Sequence, residues 1–319
     1  MSSSTVKIWD ASYYTDGKTL DREIKGIDVA GVHYNIQIEP GKYKEEADEA
    51  FKELLLLKSH KDNEEIKIGL DNNGHLTAAN AGWVRGSNPA LHYRGNGLRR
   101  HKVWFQEEDK WLFAYKYTGW QWRVVHATFK IDATSFPKTT AMVEKMKETC
   151  SQNQWIATIY ENGADYIGMH SDKTETWEPE SNFQVVKWGH PRLFQFRLRD
   201  GFNNKGKLDP EKGTLIFSKI LPAGTSLVVD LKTNEMTSHG VPAVDDPQVG
   251  LSGSIVGRDI KERLSFEGAK KEIVKAEKSR VKRREVKRKR DEEKAKQKKK
   301  KAKKDEEESD SDDSDSDDE

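Results

Sequence analysis

Residues 156–173 read IATIYENGADYIGMHSDK, and this stretch decides the fold. An apolar run, the turn residues Asn162 and Gly163, and a second apolar run follow one another, which predicts a strand, a turn and a strand. Residues two apart in an extended segment point to the same side of it. The side chains of His170 and Asp172 can therefore converge on one ion.

A distant histidine, His239 in the segment SHGVP, supplies a third candidate ligand. A His-x-Asp pair plus a distant His is the composition of the facial triad that holds non-haem Fe(II). Such a triad leaves open coordination positions for a 2-oxo acid and dioxygen, so the pattern favours oxidation over hydrolysis. Short motifs also arise by chance. The alternative is a solvated His and Asp on a loop.

Short strand-like runs recur between Trp155 and Ile260, most of them separated by Gly or Pro. This spacing is typical of a β-sandwich or a closed barrel. We predict a mainly β protein with some α structure, in which a jelly roll over residues 151–260 brings His239 to the His-x-Asp pair. The runs are WIATIY, DYIGMH, LFQFRLR, TLIFSKI, TSLVVDL and SGSIVG.

The N-terminal half divides into segments of different character. Residues 1–35 are mixed and polar, and we expect a poorly defined extension there. Apolar residues at helical spacing predict a helix over Lys42–Leu57, and a second helix is expected over Thr139–Lys147, after a proline. Glu65–Thr77 is typical of a hairpin. Residues 99–130 are dense in aromatics that alternate with polar or small residues, as in strands.

The net charge of +1 is a cancellation of opposite blocks. Residues 261–304 hold 22 Lys and Arg against 8 Asp and Glu, a net charge of +14, whereas residues 305–319 carry −11. We expect the basic segment to be a solvated helix or disordered, and it resembles a nuclear-localisation or nucleic-acid-binding patch. The acidic, serine-containing segment is typical of an interaction tail. A nuclear protein with a histone or import partner is therefore expected.

Other classes are disfavoured. The single cysteine, Cys150, allows no internal disulfide framework. No apolar run approaches a membrane span, and the N-terminal residues MSSSTVKIWD lack the apolar core of a signal peptide. We expect a soluble intracellular protein, a monomer without a membrane partner.

Three segments in order resemble the AlkB-like family of Fe(II)- and 2-oxoglutarate-dependent dioxygenases: IATIYENGADYIGMHSDK, GHPRLFQFRLRDG and LPAGTSLVVDLKTNEMTSHGVP. The likeness runs from about residue 40 to 259 and is strongest over 155–242. It implies a double-stranded β-helix as the catalytic core over 151–260, with Fe(II) and 2-oxoglutarate as cofactors. The N-terminal α/β part, residues 36–150, would include a nucleotide-recognition lid.

The resemblance also implies roles for single residues. His170, Asp172 and His239 would be the iron ligands. Tyr160 would hydrogen-bond a carboxylate of 2-oxoglutarate. Tyr117 would stack on an extruded base, opposite the ring of His170; core packing in a hairpin is the alternative for this tyrosine.

The sequence departs from the family pattern at several positions. Thr158 stands where the family usually has Asn, and Ser252 stands where it has the first of two arginines. Only Arg258 is left to pair with a 2-oxoglutarate carboxylate. An acidic base-reading residue is replaced by Thr174, with Glu175 next. The candidate cofactor-binding residues are Thr158, Tyr160 and Arg258, and the candidate substrate-binding residues are Tyr115, Tyr117, Thr174 and Glu175.

As a function, the resemblance implies oxidative demethylation of N-alkylated bases in DNA or RNA, as in DNA repair. Basic residues interleaved with the aromatics of 99–123 favour a nucleic-acid substrate. Two alternatives stay open. The same chemistry could hydroxylate another nucleic-acid mark or a protein, or the chain could be a non-catalytic nuclear protein that binds nucleic acid or histones through its tail.

Overall fold

The protein is described by a computed structural model, which divides the chain into two compact units, Met1–Ala269 and Lys270–Glu319. The first unit is mainly β-sheet with a few helices. Among the described residues, no helix is both long and apolar enough to span a membrane. The structure describes residues 11–55, 92–93, 96–97, 100–108, 111–113, 128–265, 282–283 and 285–297.

The described part of the first unit has four α-helices and seventeen strands. The helices are α1 Ala11–Thr15, α2 Lys44–Leu55, α3 Pro137–Lys147 and α4 Leu231–Met236. The strands are β1 Ile27–Val29, β2 Val32–Tyr34, β3 Ile36–Glu39, β4 His92–Tyr93, β5 Asn96–Gly97, β6 His101–Gln106, β7 Trp111–Phe113, β8 Thr128–Lys130, β9 Gln154–Tyr160, β10 Ile167–His170, β11 Asn182–Gly189, β12 Arg192–Leu198, β13 Leu215–Leu221, β14 Ser226–Asp230, β15 Thr237–Val241, β16 Ser252–Arg258 and β17 Arg263–Ser265.

Two sheets hold most of these strands. The larger sheet has the order β3-β14-β11-β16-β9-β6-β8, and the smaller has the order β10-β15-β12-β13. From β9 to β16 the chain alternates between the two sheets, except that β12 and β13 both lie in the smaller one. The first strand of this series, β9, pairs with the last, β16, and the second strand, β10, pairs with the second-last, β15. Residues distant in sequence therefore become neighbours.

Apolar side chains from one face of each sheet form a shared core. Phe183 and Ile156 of the larger sheet and Phe196 and Phe217 of the smaller are each at most 3% exposed. Their burial removes apolar surface from water, which is the main favourable contribution to folding.

A second apolar cluster covers the opposite face of the larger sheet. Helices α2 and α3 pack there, and the ring of Phe51 stacks on Trp188 with centroids 5.5 Å apart. The larger sheet is thus buried on both faces, and every residue of β9 is buried. A strand in this position is a continuous apolar run rather than an alternating one.

The structure confirms both predicted helices and all six predicted strand runs in position. Helix α3 begins at Pro137 itself, since the first helical position needs no amide hydrogen. The predicted hairpin at Glu65–Thr77 lies outside the described residues. Among the strands of the two main sheets, β3, β11 and β15 were not predicted from the sequence.

Two predicted boundaries differ from the structure. The N-terminal extension contains α1, β1 and β2, and Leu20, Ile24 and Ile27 within it are buried in the core shared by the sheets. Apolar residues at these three positions provide the burial that orders the segment. The folded part also continues beyond residue 260, because β17 pairs with β7.

In the second unit, residues 285–297 are helical, and all of their described side chains are exposed. The acidic residues 305–319 lie outside the described part.

Candidate metal centre

Three side chains meet at the edge where β10 and β15 pair. His170 ends β10, Asp172 lies two residues beyond it, and His239 lies in the middle of β15. His170 and His239 are directly opposite each other in the antiparallel pair, which places their side chains on one face. One ligand atom from each of the three residues lies within 4.8 Å of the other two. The structure therefore brings together the three ligands predicted from the sequence.

His170 is held in one orientation by the backbone. Its Nδ1 is 2.8 Å from the carbonyl oxygen of Gly168, a contact that requires this nitrogen to carry the proton and donate it. Nε2 is then the nitrogen with a lone pair, and it lies 3.8 Å from Oδ1 of Asp172. Burial lowers the pKa of His170, so the ring is neutral at pH 7. A neutral imidazole fixed by a second hydrogen bond is the usual form of a metal-binding histidine.

His239 is enclosed by aromatic rings. Its ring centroid lies 5.2 Å from that of Phe183, 6.1 Å from Phe194 and 5.8 Å from Phe196. Burial, followed by the nearby His170, lowers the pKa of His239 to about 3. Its buried Nδ1 has no hydrogen-bond partner among the described residues. An unpartnered buried nitrogen is costly, which fits a side chain whose partner is an ion.

Asp172 is ionised and has one oxygen committed to Arg258. Both Nε and Nη2 of Arg258 donate to Oδ2 of Asp172, at 3.1 and 2.8 Å. Burial alone would raise the pKa of Asp172, but the guanidinium of Arg258 outweighs it and holds this pKa well below its usual range. Oδ1 is left facing His170. One carboxylate oxygen is thus presented toward the histidines while the other is neutralised.

Asn234 fixes the backbone at Asp172. Its Oδ1 accepts from the Asp172 amide at 2.9 Å, and its Nδ2 donates to the Asp172 carbonyl at 3.0 Å. Asn234 is 1% exposed and belongs to α4, which directly precedes β15. It therefore connects two segments that carry ligands. Asn234 lies in the segment LPAGTSLVVDLKTNEMTSHGVP, but its role was not predicted from the sequence.

Arg258 has a different partner from the one predicted. The sequence suggests that it binds a carboxylate of 2-oxoglutarate, but in the structure it binds the carboxylate of Asp172. The reason lies in the topology: β16 places Arg258 in the interior, within reach of the segment that follows β10. Its assignment to 2-oxoglutarate stays a prediction.

The predicted residues Tyr160 and Thr158 both lie on β9. They are opposite Ser252 and Ser254 of β16, and both are buried. The Tyr160 ring has the Arg192 guanidinium carbon 5.3 Å from its centroid.

The predicted substrate residues are less well placed by the structure. Thr174 is half-buried and Glu175 is exposed, in the segment after Asp172. Tyr115 and Tyr117 lie outside the described residues. Their proposed contacts with a base stay predictions.

Several buried cations were missed from the sequence, and two of them lie near the ring of Tyr160. Lys187 on β11 and Arg192 on β12 are each 1% exposed. Arg192 donates to the backbone carbonyl oxygens of Asn162, Asp165 and Pro242, at 2.8, 2.8 and 3.1 Å. No periodic pattern in the sequence distinguishes such residues from ordinary exposed ones.

The comparisons with known proteins add little to this geometry. No family model matches the chain, and no curated protein matches it. The chain is similar to the solved structure of OsALKBH1, with 12% sequence identity and a TM-score of 0.38. The match covers 72% of this chain and 98% of the other. At this level of similarity, what the site can do follows from the residues themselves.

Two neutral imidazoles and one ionised carboxylate form a donor set for a divalent metal ion. Nitrogen and oxygen donors of this kind suit Fe(II) and other first-row metals. Three protein ligands leave further coordination positions open. The cluster of His170, Asp172 and His239 can therefore hold a metal ion and present it to a second molecule.

Proposed function

We propose that this protein is an Fe(II)- and 2-oxoglutarate-dependent dioxygenase of the AlkB-like type. The observation that carries the proposal is the convergence of His170, Asp172 and His239 within 4.8 Å, with both histidines on paired strands. Two histidines and one carboxylate with open positions are the ligand set of non-haem Fe(II) oxygenases.

The sheet topology supports a double-stranded β-helix for the catalytic core. The eight strands β9 to β16 are distributed over the two sheets and pair with one another antiparallel, and the first and last members of the series are paired. His170 and His239 lie on the smaller sheet, and the ring of His239 contacts phenylalanines of the shared core. Such a core gives a dry interior with a rigid wall, which is what a site of this chemistry requires.

When bound, Fe(II) with 2-oxoglutarate supplies the oxidation of a substrate C–H bond by dioxygen, with succinate and carbon dioxide as co-products. The chain's own residues prepare the site for it. Arg258 donates to Oδ2 of Asp172, and Oδ1 is the carboxylate oxygen that would bind the metal. Gly168 directs Nε2 of His170 inward, and the phenylalanines around His239 exclude water.

For the substrate, we propose N-alkylated bases of DNA or RNA, from which oxidation of the methyl group would release formaldehyde. Support comes from the resemblance in the sequence; among the basic residues of 99–123, Arg100 and Lys102 are buried and add none. A nuclear location, and partners reached through the charged residues 261–319, belong to the same proposal. The exposed basic helix over 285–297 supports it, because exposed cations attract phosphate without sequence preference.

Metal analysis tests the proposed ligands. The protein is loaded anaerobically with Fe(II), desalted, and its bound iron is measured. We expect about one iron per chain in the wild type and loss of iron in Asp172→Asn and His239→Ala. His190→Ala, which removes an exposed histidine outside the cluster, is the matched control and keeps the metal. Equal iron in His239→Ala and the wild type would remove His239 from the site.

A further inference from the structure

A 2-oxo dicarboxylic acid brings two negative charges into a buried site. One end of it can approach the metal, and the other carboxylate then needs a counter-charge, because an unpaired charge is costly to bury. Arg258 already shares its charge with Asp172, to which its Nε and Nη2 donate. A second cation, whose charge is not balanced in this way, is the better partner for the second carboxylate.

The buried cations of the described residues can be compared by their partners. Lys219 pairs with Asp16 at 2.9 Å, and Arg100 donates to the carbonyl oxygen of Tyr166 at 3.0 Å. Arg192 is bonded to backbone carbonyl oxygens. The ammonium of Lys187 differs, since it is buried and has no hydrogen-bond partner in the part of the chain that the structure describes.

Lys187 lies on the face of the larger sheet that borders the core shared with the smaller sheet. Along β11, Phe183, Val185 and Lys187 are two residues apart and therefore share one face, and the first two belong to that core. The ring of Phe183 contacts the His239 ring. The side chain of Lys187 is therefore on the side of the sheet that faces the metal ligands. Its Cα is opposite Ser254 of β16.

Tyr160 marks the position of the ammonium. Lys187 Nζ is 5.7 Å from the centroid of the Tyr160 ring, and Tyr160 is opposite Ser252. The hydroxyl of Ser252 is also buried and, among the described residues, without a hydrogen-bond partner. Lys187 and Ser252, both without a hydrogen-bond partner among the described residues, thus lie on neighbouring strands near the ring of Tyr160.

We propose that Lys187 binds the second carboxylate of the 2-oxo acid, with the Ser252 hydroxyl as an additional donor. This inference rests on the proposed function. It explains how a chain with Ser252 and no second arginine on β16 can still bind a dicarboxylate. The ammonium and the hydroxyl have no partner among the described residues and lie on the core face, which points to an anion as their partner.

Burial and the neighbouring Arg192 lower the pKa of Lys187 to about 7. Among the described residues, no acid therefore compensates the charge of Lys187. Asp165 acts on Arg192 instead. A bound carboxylate would restore the charge balance and keep Lys187 protonated.

The test measures binding rather than turnover. Isothermal titration under anaerobic conditions compares 2-oxoglutarate with 2-oxopentanoate, which has the same chain but lacks the second carboxylate, on the Fe(II)-loaded protein. For Lys187→Met we expect 2-oxoglutarate to bind roughly 10- to 150-fold more weakly, the loss of one hydrogen bond to a charged group. The affinity for 2-oxopentanoate should stay the same, and Lys187→Arg should restore part of the lost affinity.

The outcomes separate the two proposals. If iron is retained and Lys187→Met binds 2-oxoglutarate as tightly as the wild type, the role of Lys187 is overturned while the metal site stands. If the wild type binds no iron, or binds iron but neither 2-oxo acid, the proposed function fails and the role of Lys187 fails with it. Lys187→Gln, a polar variant of similar length, gives the same readout if the methionine variant does not fold.

Discussion

Lys187 is placed where a charge harms the stability of the ligand-free protein, and its removal should therefore stabilise the fold. Burial and Arg192 hold the pKa of Lys187 near 7, against an ordinary value of 10.5. The unfolded chain consequently binds a proton more tightly at this position than the folded chain does. The resulting destabilisation of the folded protein is complete below pH 7. It disappears as the pH rises from 7 toward 10.5.

The magnitude follows from the two pKa values. Each pKa unit corresponds to about 1.4 kcal/mol, so the full effect is at most about 5 kcal/mol. Relaxation and water penetration reduce it, and we expect Lys187→Met to be more stable than the wild type by about 2–5 kcal/mol at pH 6. The advantage should shrink by up to about 1.4 kcal/mol for each pH unit above 7. Arg192, the other cation near Lys187, stays charged throughout.

Urea denaturation of both proteins at pH 6, 7.5 and 9, without metal or 2-oxo acid, measures this difference directly. Lys187→Arg, which keeps the charge, is the matched control and should not gain stability at pH 6. If Lys187→Met is less stable than the wild type at pH 6, or if its advantage does not change with pH, Lys187 has a partner that stabilises its charge. The anion-binding role would then lose its basis.

The remaining predictions concern the metal ligands. Arg258→Ala leaves the buried carboxylate of Asp172 unpaired, so the free energy of unfolding in urea at pH 7 should fall by about 3–5 kcal/mol, with a smaller loss in Arg258→Lys; an unchanged value would mean that the ion pair contributes nothing. In the metal-free protein His239 stays neutral down to about pH 3, whereas the unfolded chain takes up its proton near pH 6.5. As the pH falls from 6.5 to 4.5, the free energy of unfolding should therefore decrease less in His239→Phe than in the wild type, by about 1.4 kcal/mol per pH unit. If the free energy of unfolding changes with pH equally in both proteins, His239 is in a polar environment.

Local sequence patterns predict the elements whose residues carry a periodic signal. Helix α2 has apolar residues at helical spacing, and the convergence of His170 and Asp172 follows from the alternation of an extended chain. The third candidate ligand, His239, was predicted from the composition of a facial triad and from the resemblance, not from any local pattern. Proximity in sequence gives no reason for the pairing of β10 with β15.

The parts that were missed depend on long-range contacts. β11 is buried on both faces and includes Gln184 and Lys187, so it has neither an alternating pattern nor a continuous apolar one. β15, with the sequence TSHGV, is mostly polar and is a buried strand because β10 and β12 pair with its two edges. The partner of Arg258 is likewise set by where β16 lies in the sheet. No local rule could have assigned it to Asp172.

The most direct test of the central claim is the conversion of 2-oxoglutarate to succinate by the Fe(II)-loaded protein, in the presence of pooled methylated DNA and RNA oligonucleotides. Mass spectrometry follows succinate and each oligonucleotide together. The account predicts succinate that depends on iron and disappears in Asp172→Asn, together with the loss of one methyl mark. Succinate without a change in any oligonucleotide would keep the oxygenase and move the search to other substrates. An iron-loaded protein that forms no more succinate than Asp172→Asn would contradict the assignment of this site to dioxygenase chemistry.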